Sequence, residues 1–329
     1  MTNFRTIVDI PKSNIELSYQ HPSILIGSCF TENVGQKLIQ DKFPTLLNPF
    51  GILYNPASIK RCFQILTEGQ YCSEDDLHQR DGLWFSYDHH GSFSRADKAA
   101  CLSGINNELE SSRQMLQNAR IAFITLGTSW VYRLKSNEQI VANCHKVPAR
   151  EFDRVQLSVE QIVDELTQII ISGHSINPEL KFVFTLSPVR HWKEGAHGNQ
   201  LSKSRLVLAI DEAITNNEKA EYFPSYEIIM DELRDYRFYA GDMLHINETG
   251  TNYIYDRFQD TFFSEETIAL KEKIRKITLA RQHKPFNPNT EQHGQFVKKQ
   301  LDEIQSLKKM FPSINFYEEQ SYFESILNS

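Results

Sequence analysis

Three apolar runs constrain this chain most: Ile24 to Ile26, Ile121 to Leu126 and Phe182 to Leu186. Each is near-continuously hydrophobic rather than alternating, the pattern of strands buried on both faces in a parallel sheet covered by helices. Each ends in small or polar residues: Gly27-Ser28, Gly127-Thr128-Ser129 and Ser187-Pro188-Val189-Arg190-His191. Ligands of open α/β sheets bind beyond the carboxyl ends of the strands, so these three termini are expected to converge on one cleft.

Helical patterns separate the runs. Thr31 to Gln40 follows the first, with Thr31 as the expected cap and Val34 and Leu38 four apart. Val159, Ile162, Val163, Leu166, Ile169 and Ile170 fall on one face of a second helix. Leu201 to Ile214 and Tyr253 to Phe263 read as two more, and alternating strand and helix indicates an α/β fold with a mainly parallel sheet. Two insertions read as hairpins, one centred on Asp88-His89-His90 and one over Val131 to Val147. After about Ser264 the chain turns Glu/Lys-rich, as in the helix expected over Val297 to Met310. The expected division is an α/β domain over 1–263 and a helical C-terminal appendage over 264–329.

Composition narrows the partners. A net charge of -7 over 329 residues argues against a nucleic-acid binder, which carries a basic stripe. No apolar run approaches the ~18 residues needed to span a membrane, and Met1 to Thr6 lacks the basic and apolar regions of a signal peptide. The five cysteines, Cys29, Cys62, Cys72, Cys101 and Cys144, are odd in number and without C-x-x-C pairs. They read as reduced thiols of a cytoplasmic protein, with no metal site and no cofactor expected.

Two short segments supply chemistry. Ser28 stands where an apolar strand gives way to a helix, so its backbone N–H faces a site where the helix dipole favours a developing oxyanion. Asp242-Met243-Leu244-His245 sets a carboxylate three residues before an imidazole, in a loop leading into a helix. His245 is the candidate general base and Asp242 the group that fixes its tautomer, completing the residue types of a Ser-His-Asp triad. Two other readings stand beside this one. Ser28 could simply cap the helix. Cys29 is a competing nucleophile, because a thiolate at a helix N-terminus has a lowered pKa, although its apolar neighbours point it inward.

Gly27-Ser28-Cys29-Phe30-Thr31 closely resembles the signature of the GSCFA family, a divergent branch of the SGNH (GDSL-like) hydrolases. Further stretches are similar to that family: Asn48-Pro49-Phe50-Gly51-Ile52-Leu53-Tyr54-Asn55-Pro56, Thr125 to Tyr132, Asn143-Cys144-His145-Lys146, and Ser187 through Lys203. The resemblance covers about residues 1–260. It implies a three-layer flavodoxin-like fold, with Ser28 as nucleophile, Gly51 as a backbone oxyanion donor, and Asp242 and His245 as the last block. The third block departs from the pattern, since Ser129 occupies the position of the usual oxyanion-donating Asn. Losing one such donor typically costs ~10²–10³ in rate, so Asn143, His145 or Thr128 is expected to substitute, or the reaction is not ordinary ester hydrolysis. The first block is Gly-Ser-Cys in place of Gly-Asp-Ser, which keeps Cys29 open as the nucleophile.

Arg190 and His191, at the end of the third run, are expected to bind an anionic or hydroxyl-rich substrate group, with Asn48, Thr128 and His145 as further substrate-binding candidates. His89 and His90 read as rim residues, and Trp84 and Trp130 as either sugar-stacking or buried aromatics. The expected function is a serine-dependent acyl-ester hydrolase acting on an O-acetyl group of a carbohydrate, or an acyltransferase on the same residues. Two alternatives remain: a binding protein on the same scaffold, and a Cys29-dependent acyl or thioester enzyme.

Overall fold

A computed structural model of the chain describes residues 5–215, 217–282 and 290–327. Residues 1–4 of the segment read for a signal peptide lie outside the described residues. The central sheet has five parallel strands: β1 (Ser23–Gly27), β2 (Thr45–Leu47), β3 (Ile121–Leu126), β4 (Lys181–Leu186) and β5 (Ala220–Phe223). Their order is β2-β1-β3-β4-β5, the flavodoxin-type order whose switch point lies between β1 and β3. The three apolar runs are the three central strands. Register aligns their carboxyl ends, with Gly27 opposite Thr125 and Leu126 opposite Leu186.

Side chains alternate across each strand, so the continuous apolar runs feed two separate cores. Ile24, Ile26, Ile124, Phe182 and Phe184 face one layer. It contains α2 (Pro56–Glu68), α3 (Lys98–Asn118), α4 (Val159–Ile176) and α5 (Gly195–Ile214), anchored by residues such as Phe63, Leu116, Leu166 and Leu206. Leu25, Phe123 and Val183 face the other layer, built on Phe30, Val34 and Leu38 of α1 (Cys29–Gln40) and Ile254, Phe258 and Phe262 of α6 (Glu248–Phe262). Three layers result, as the resemblance implies.

Beyond α6 come α7 (Glu265–Gln282), α8 (Glu291–Met310) and α9 (Tyr317–Leu327). Ile274, Val297, Ile304, Phe316 and Phe323 of this C-terminal segment are buried in the same cluster as Phe123 and Phe258. The tail therefore adds to the core on one face of the sheet. None of the described helices is long and apolar enough to cross a membrane.

The insertions differ in detail from expectation. The first hairpin pairs His78–Arg80 with Leu83–Phe85, not strands flanking Asp88-His89-His90. Its turn, Asp81-Gly82, has positive φ at both residues (49° and 77°), as a tight two-residue hairpin requires. Downstream, Gly91–Phe93 winds into a 3-10 turn, and Trp84 meets Arg95 only through an isolated bridge. In the second insertion Trp130–Leu134 pairs with Ile140–Val141 as expected, and also with a third strand, Phe152–Gln156.

Truncating Phe323, 1% exposed in the core under the sheet, is expected to cost ~3–5 kcal/mol. Denaturant unfolding of the full-length Phe323→Ala variant should show this as a shift of the main transition. A separate, early transition that leaves the main one in place would mean the tail folds independently.

Candidate active site

The first strand ends at a tight junction. A Cβ on Gly27 would lie 2.4 Å from the Thr125 carbonyl oxygen and 2.7 Å from Thr31 Oγ1, so only glycine lets β1 and β3 close here. The Gly27 N–H donates to Asn48 Oδ1 at 2.9 Å, and its carbonyl accepts from Leu53 N at 3.0 Å. Ser28 follows in an extended conformation (φ −76°, ψ 179°) and is the N-cap of α1, its Oγ accepting from Phe30 N at 3.3 Å. The expected cap, Thr31, lies inside the helix. The cap must be the last extended residue, and that is Ser28. The capping reading of Ser28 is the one the hydrogen bond shows, and a cap at this position holds its hydroxyl at the helix N-terminus.

A compact loop presents the last block. His245 Nδ1 and Asp242 Oδ2 are 2.5 Å apart, while Asp242 Oδ1 accepts from the backbone N–H groups of Leu244 (3.0 Å) and His245 (2.9 Å). Met243, at φ 59°, turns the chain between them, and Asn247 caps α6 by accepting from Gly250 N at 3.0 Å. These hydrogen bonds, the one from His245 foremost, hold the Asp242 carboxyl down to about 2. With Nδ1 occupied, Nε2 is the nitrogen left for chemistry.

Ser28 and His245 line one cleft of about 430 Å³ at the carboxyl ends of β1, β3 and β4, within the usual size for a small-molecule site. A larger hollow, about 1060 Å³, lies between the C-terminal helices and the Asp41–Thr45 turn. That turn enters β2 at the opposite end of the sheet from the switch point, so the smaller cleft is where this fold type binds its ligands.

Of the residues singled out from the sequence, Ser28, Cys29, Thr128, Asn143, Arg190, His191 and His245 line this cleft. Cys29 therefore does not turn away from it as its neighbours led us to expect, because as the first helical residue it shares the mouth with its cap. Five candidates lie outside the lining, one of them Asp242, which stands behind His245 as its hydrogen-bond partner. Asn48 is 7% exposed and spends its amide on Gly27 N and Glu32 Oε2 (2.8 Å), which makes it a clamp on the junction. Gly51 donates its N–H to the Asn48 carbonyl at 2.7 Å. Ser129 is fully buried, donating from Oγ to Ser202 Oγ at 3.0 Å and accepting from Gln156 at 3.2 Å. His145 stacks on Phe85, with Nε2 3.0 Å from the carbonyls of Ser86 and His89. The backbone N–H groups of Gly127 and Thr128 are also taken, both by the Tyr54 carbonyl.

Sequence reading missed Asn55. It is 6% exposed, caps α2 by accepting Ser58 N at 2.8 Å on Oδ1, and lines the cleft. That bond fixes which way the amide faces, and among the described residues nothing accepts from its Nδ2. Its position in Tyr54-Asn55-Pro56 gave a signal, since Asn before Pro is a helix start. Only the tertiary structure shows that this helix start borders Ser28. The aromatic walls Tyr54, Tyr132 and Trp192 join Trp130 in the cleft, whereas Trp84 lies outside it in a satellite cluster.

Burial and cations set the local protonation. Burial pushes the Cys29 thiol up, against hydrogen bonds from the Phe30 and Cys29 backbone N–H groups and the nearby Lys203 charge. Burial also lowers the His191 imidazole, with Lys203, Arg154 and Lys193 adding to the effect. Lys203 is fully buried, donates to the Ser187 carbonyl at 2.6 Å, and is lowered to about 7 by desolvation.

Strand order and cleft position define an α/β protein of flavodoxin-type topology whose candidate site sits at the switch point. The chain belongs to the GSCFA family. The family profile matches residues 22–258, and that of the GSCFA domain protein, C-terminal domain, matches residues 274–329. No curated protein matches the sequence. Among solved structures, an acetyl xylan esterase (Est2A) from the rumen bacterium Butyrivibrio proteoclasticus is similar at 10% identity and a TM-score of 0.37. The match covers 74% of this chain and 63% of that one, less than two thirds of its length.

Lys203 carries a stability signature. Its ordinary value is 10.5 and its folded value about 7. Between those limits the unfolded chain holds a proton that the folded protein has released, so stability rises with pH across the window. The expected outcome is that wild type gains stability relative to Lys203→Met from about pH 7 towards about pH 10 in denaturant titrations. A constant difference would show that the lysine is not depressed.

Proposed function

We propose that this protein is a serine acyl-ester hydrolase, with an O-acetyl group on a carbohydrate as the substrate type. The observation that carries this reading is that Ser28, at the N-terminus of α1, and His245, with Nδ1 held by Asp242, line the same cleft. Ser28 Oγ attacks the acyl carbon and its proton passes to His245 Nε2. The bond to the sugar oxygen breaks, that oxygen takes the proton, and an acyl-Ser28 ester remains. Water, deprotonated by His245, then releases the carboxylic acid and restores Ser28. An acceptor hydroxyl in place of water makes the same cycle a transferase. Asp242 stays ionised throughout and stabilises the imidazolium.

The oxyanion needs donors, and those expected at Gly51 and Ser129 are committed elsewhere. The Ser28 N–H and Asn55 Nδ2 have no acceptor among the described residues, and the dipole of α1 adds positive potential at the same place. Burial keeps the Cys29 thiol protonated at neutral pH, which favours Ser28 over Cys29. Trp130, Tyr132 and Trp192 on the walls give the cleft the mixed aromatic and polar lining that suits a sugar.

A fluorophosphonate probe followed by peptide mass spectrometry should place an adduct on Ser28, absent in Ser28→Ala and strongly reduced in His245→Ala. An unlabelled but folded protein would favour the ligand-binding alternative, and an adduct on Cys29 the thiol enzyme. Asn55→Asp keeps the oxygen that caps α2 and removes the amide donor. It should lower kcat by ~10²–10³ with little loss of stability, and an unchanged kcat would remove Asn55 from the site.

A further inference from the structure

The charge lining the cleft has one sign. Arg154, Arg190 and Lys193 face it beside the imidazoles of His191 and His245, and among the described residues no Asp or Glu does. The chain as a whole carries -7, so this concentration runs against the average field of the protein. Arg154 is answered by an ion pair with Glu194. Arg190 is not answered: among the described residues no carboxylate lies within ion-pair distance of it.

Arg190 is half-buried, and its Nε is shielded from solvent without a hydrogen-bond partner. Its guanidinium lies over the Trp192 ring, 5.4 Å from the centroid, a stacking that restrains the fork while leaving its N–H groups unspent. Lys193 finds only the Tyr132 hydroxyl and the Tyr132 ring, 5.0 Å away. The buried Lys203 ammonium is near enough for Arg190 to oppose its charge. Like charges partly removed from water and lacking counter-charges are costly. A structural arginine would be paired. One left open at a cleft mouth, beside a second open cation, is arranged for an anion that arrives with the ligand.

We infer that the substrate carries a fixed negative charge, a carboxylate or a phosphate, which Arg190 and Lys193 hold while its acyl ester lies against Ser28. The inference deepens the esterase reading of the same cleft and rests on it for the acyl group, though not for the anion. Arg190 would take the acidic substituent in bidentate fashion. The substrate class is then an acylated acidic sugar, a uronate or a sugar phosphate, and not a neutral glycan.

The test uses the full-length chain and separates binding from turnover. Glucuronate, glucose 6-phosphate and neutral methyl glucoside are titrated calorimetrically into wild type, Arg190→Gln, Arg190→Lys and Lys193→Gln at low and high salt. At least one acidic sugar should bind about tenfold or more tightly than methyl glucoside, as a charge-assisted contact implies. The preference should shrink in salt and collapse in Arg190→Gln, with Arg190→Lys recovering only part of it because the fork is lost. Which acidic sugar wins identifies the carboxylate or the phosphate. Equal binding of acidic and neutral sugars, no detectable binding of any, or a preference that survives Arg190→Gln would each overturn the inference. Fluorophosphonate labelling is run on the same samples. An anion preference without labelling of Ser28 would sink the esterase reading alone, and labelling without a preference would sink the anion reading alone.

Discussion

The close approach of β1 and β3 at Gly27 is the constraint on which the site depends. Without a side chain there, the Thr125 carbonyl can lie where a Cβ would sit, and the two strands stay paired to their carboxyl ends. Asn48 then ties the Gly27 N–H to Glu32 in the first turn of α1, while Leu53 closes on the Gly27 carbonyl. These contacts deliver Ser28 to the N-terminus of α1 and bring the 53–55 segment, with Asn55, alongside it. Asn48 and Gly51 thus shape the site through the backbone, from positions outside the cleft.

Around that junction the two faces of the sheet divide the labour. One face, with α2, α4 and α5, carries the cleft-side residues Asn55, Arg190 and Lys203 on short connections or on the helices themselves. The other is covered by α1 and α6 and by the C-terminal segment, whose Phe316 and Phe323 share the core with Phe258. Cations gather at the cleft end, so an acidic protein presents a positive mouth. Burial there lowers the Lys203 ammonium far below the usual lysine value.

Much of this was legible in the chain. Short continuous apolar runs bounded by turn residues read as strands covered on both sides, and the three found became β1, β3 and β4, each ending at the cleft. Asp242 and His245 were readable as a pair because three-residue spacing in a loop keeps both side chains within reach of one another, with no help from the rest of the fold. The short edge strands β2 and β5 were not legible, since three or four partly polar residues carry no period of their own and pair only because a neighbouring strand offers its edge. The first hairpin turns at Asp81-Gly82 and not around His89 and His90, because that dipeptide takes the two positive φ values a two-residue turn needs.

Residue types, local turns and the identity of the family were determined by the sequence alone, because they depend on contacts a few residues long. Which polar groups remain unspent was decided only in three dimensions. Ser129 and Gly51 looked like donors to an oxyanion, but Ser202 and the Asn48 carbonyl reached them first. Asn55 looked like a helix cap, and the bond that makes it one uses its Oδ1 and leaves its amide nitrogen without an acceptor among the described residues. A hydrogen-bonding group is available to a ligand only when no part of its own fold has claimed it, and distant segments make those claims on folding.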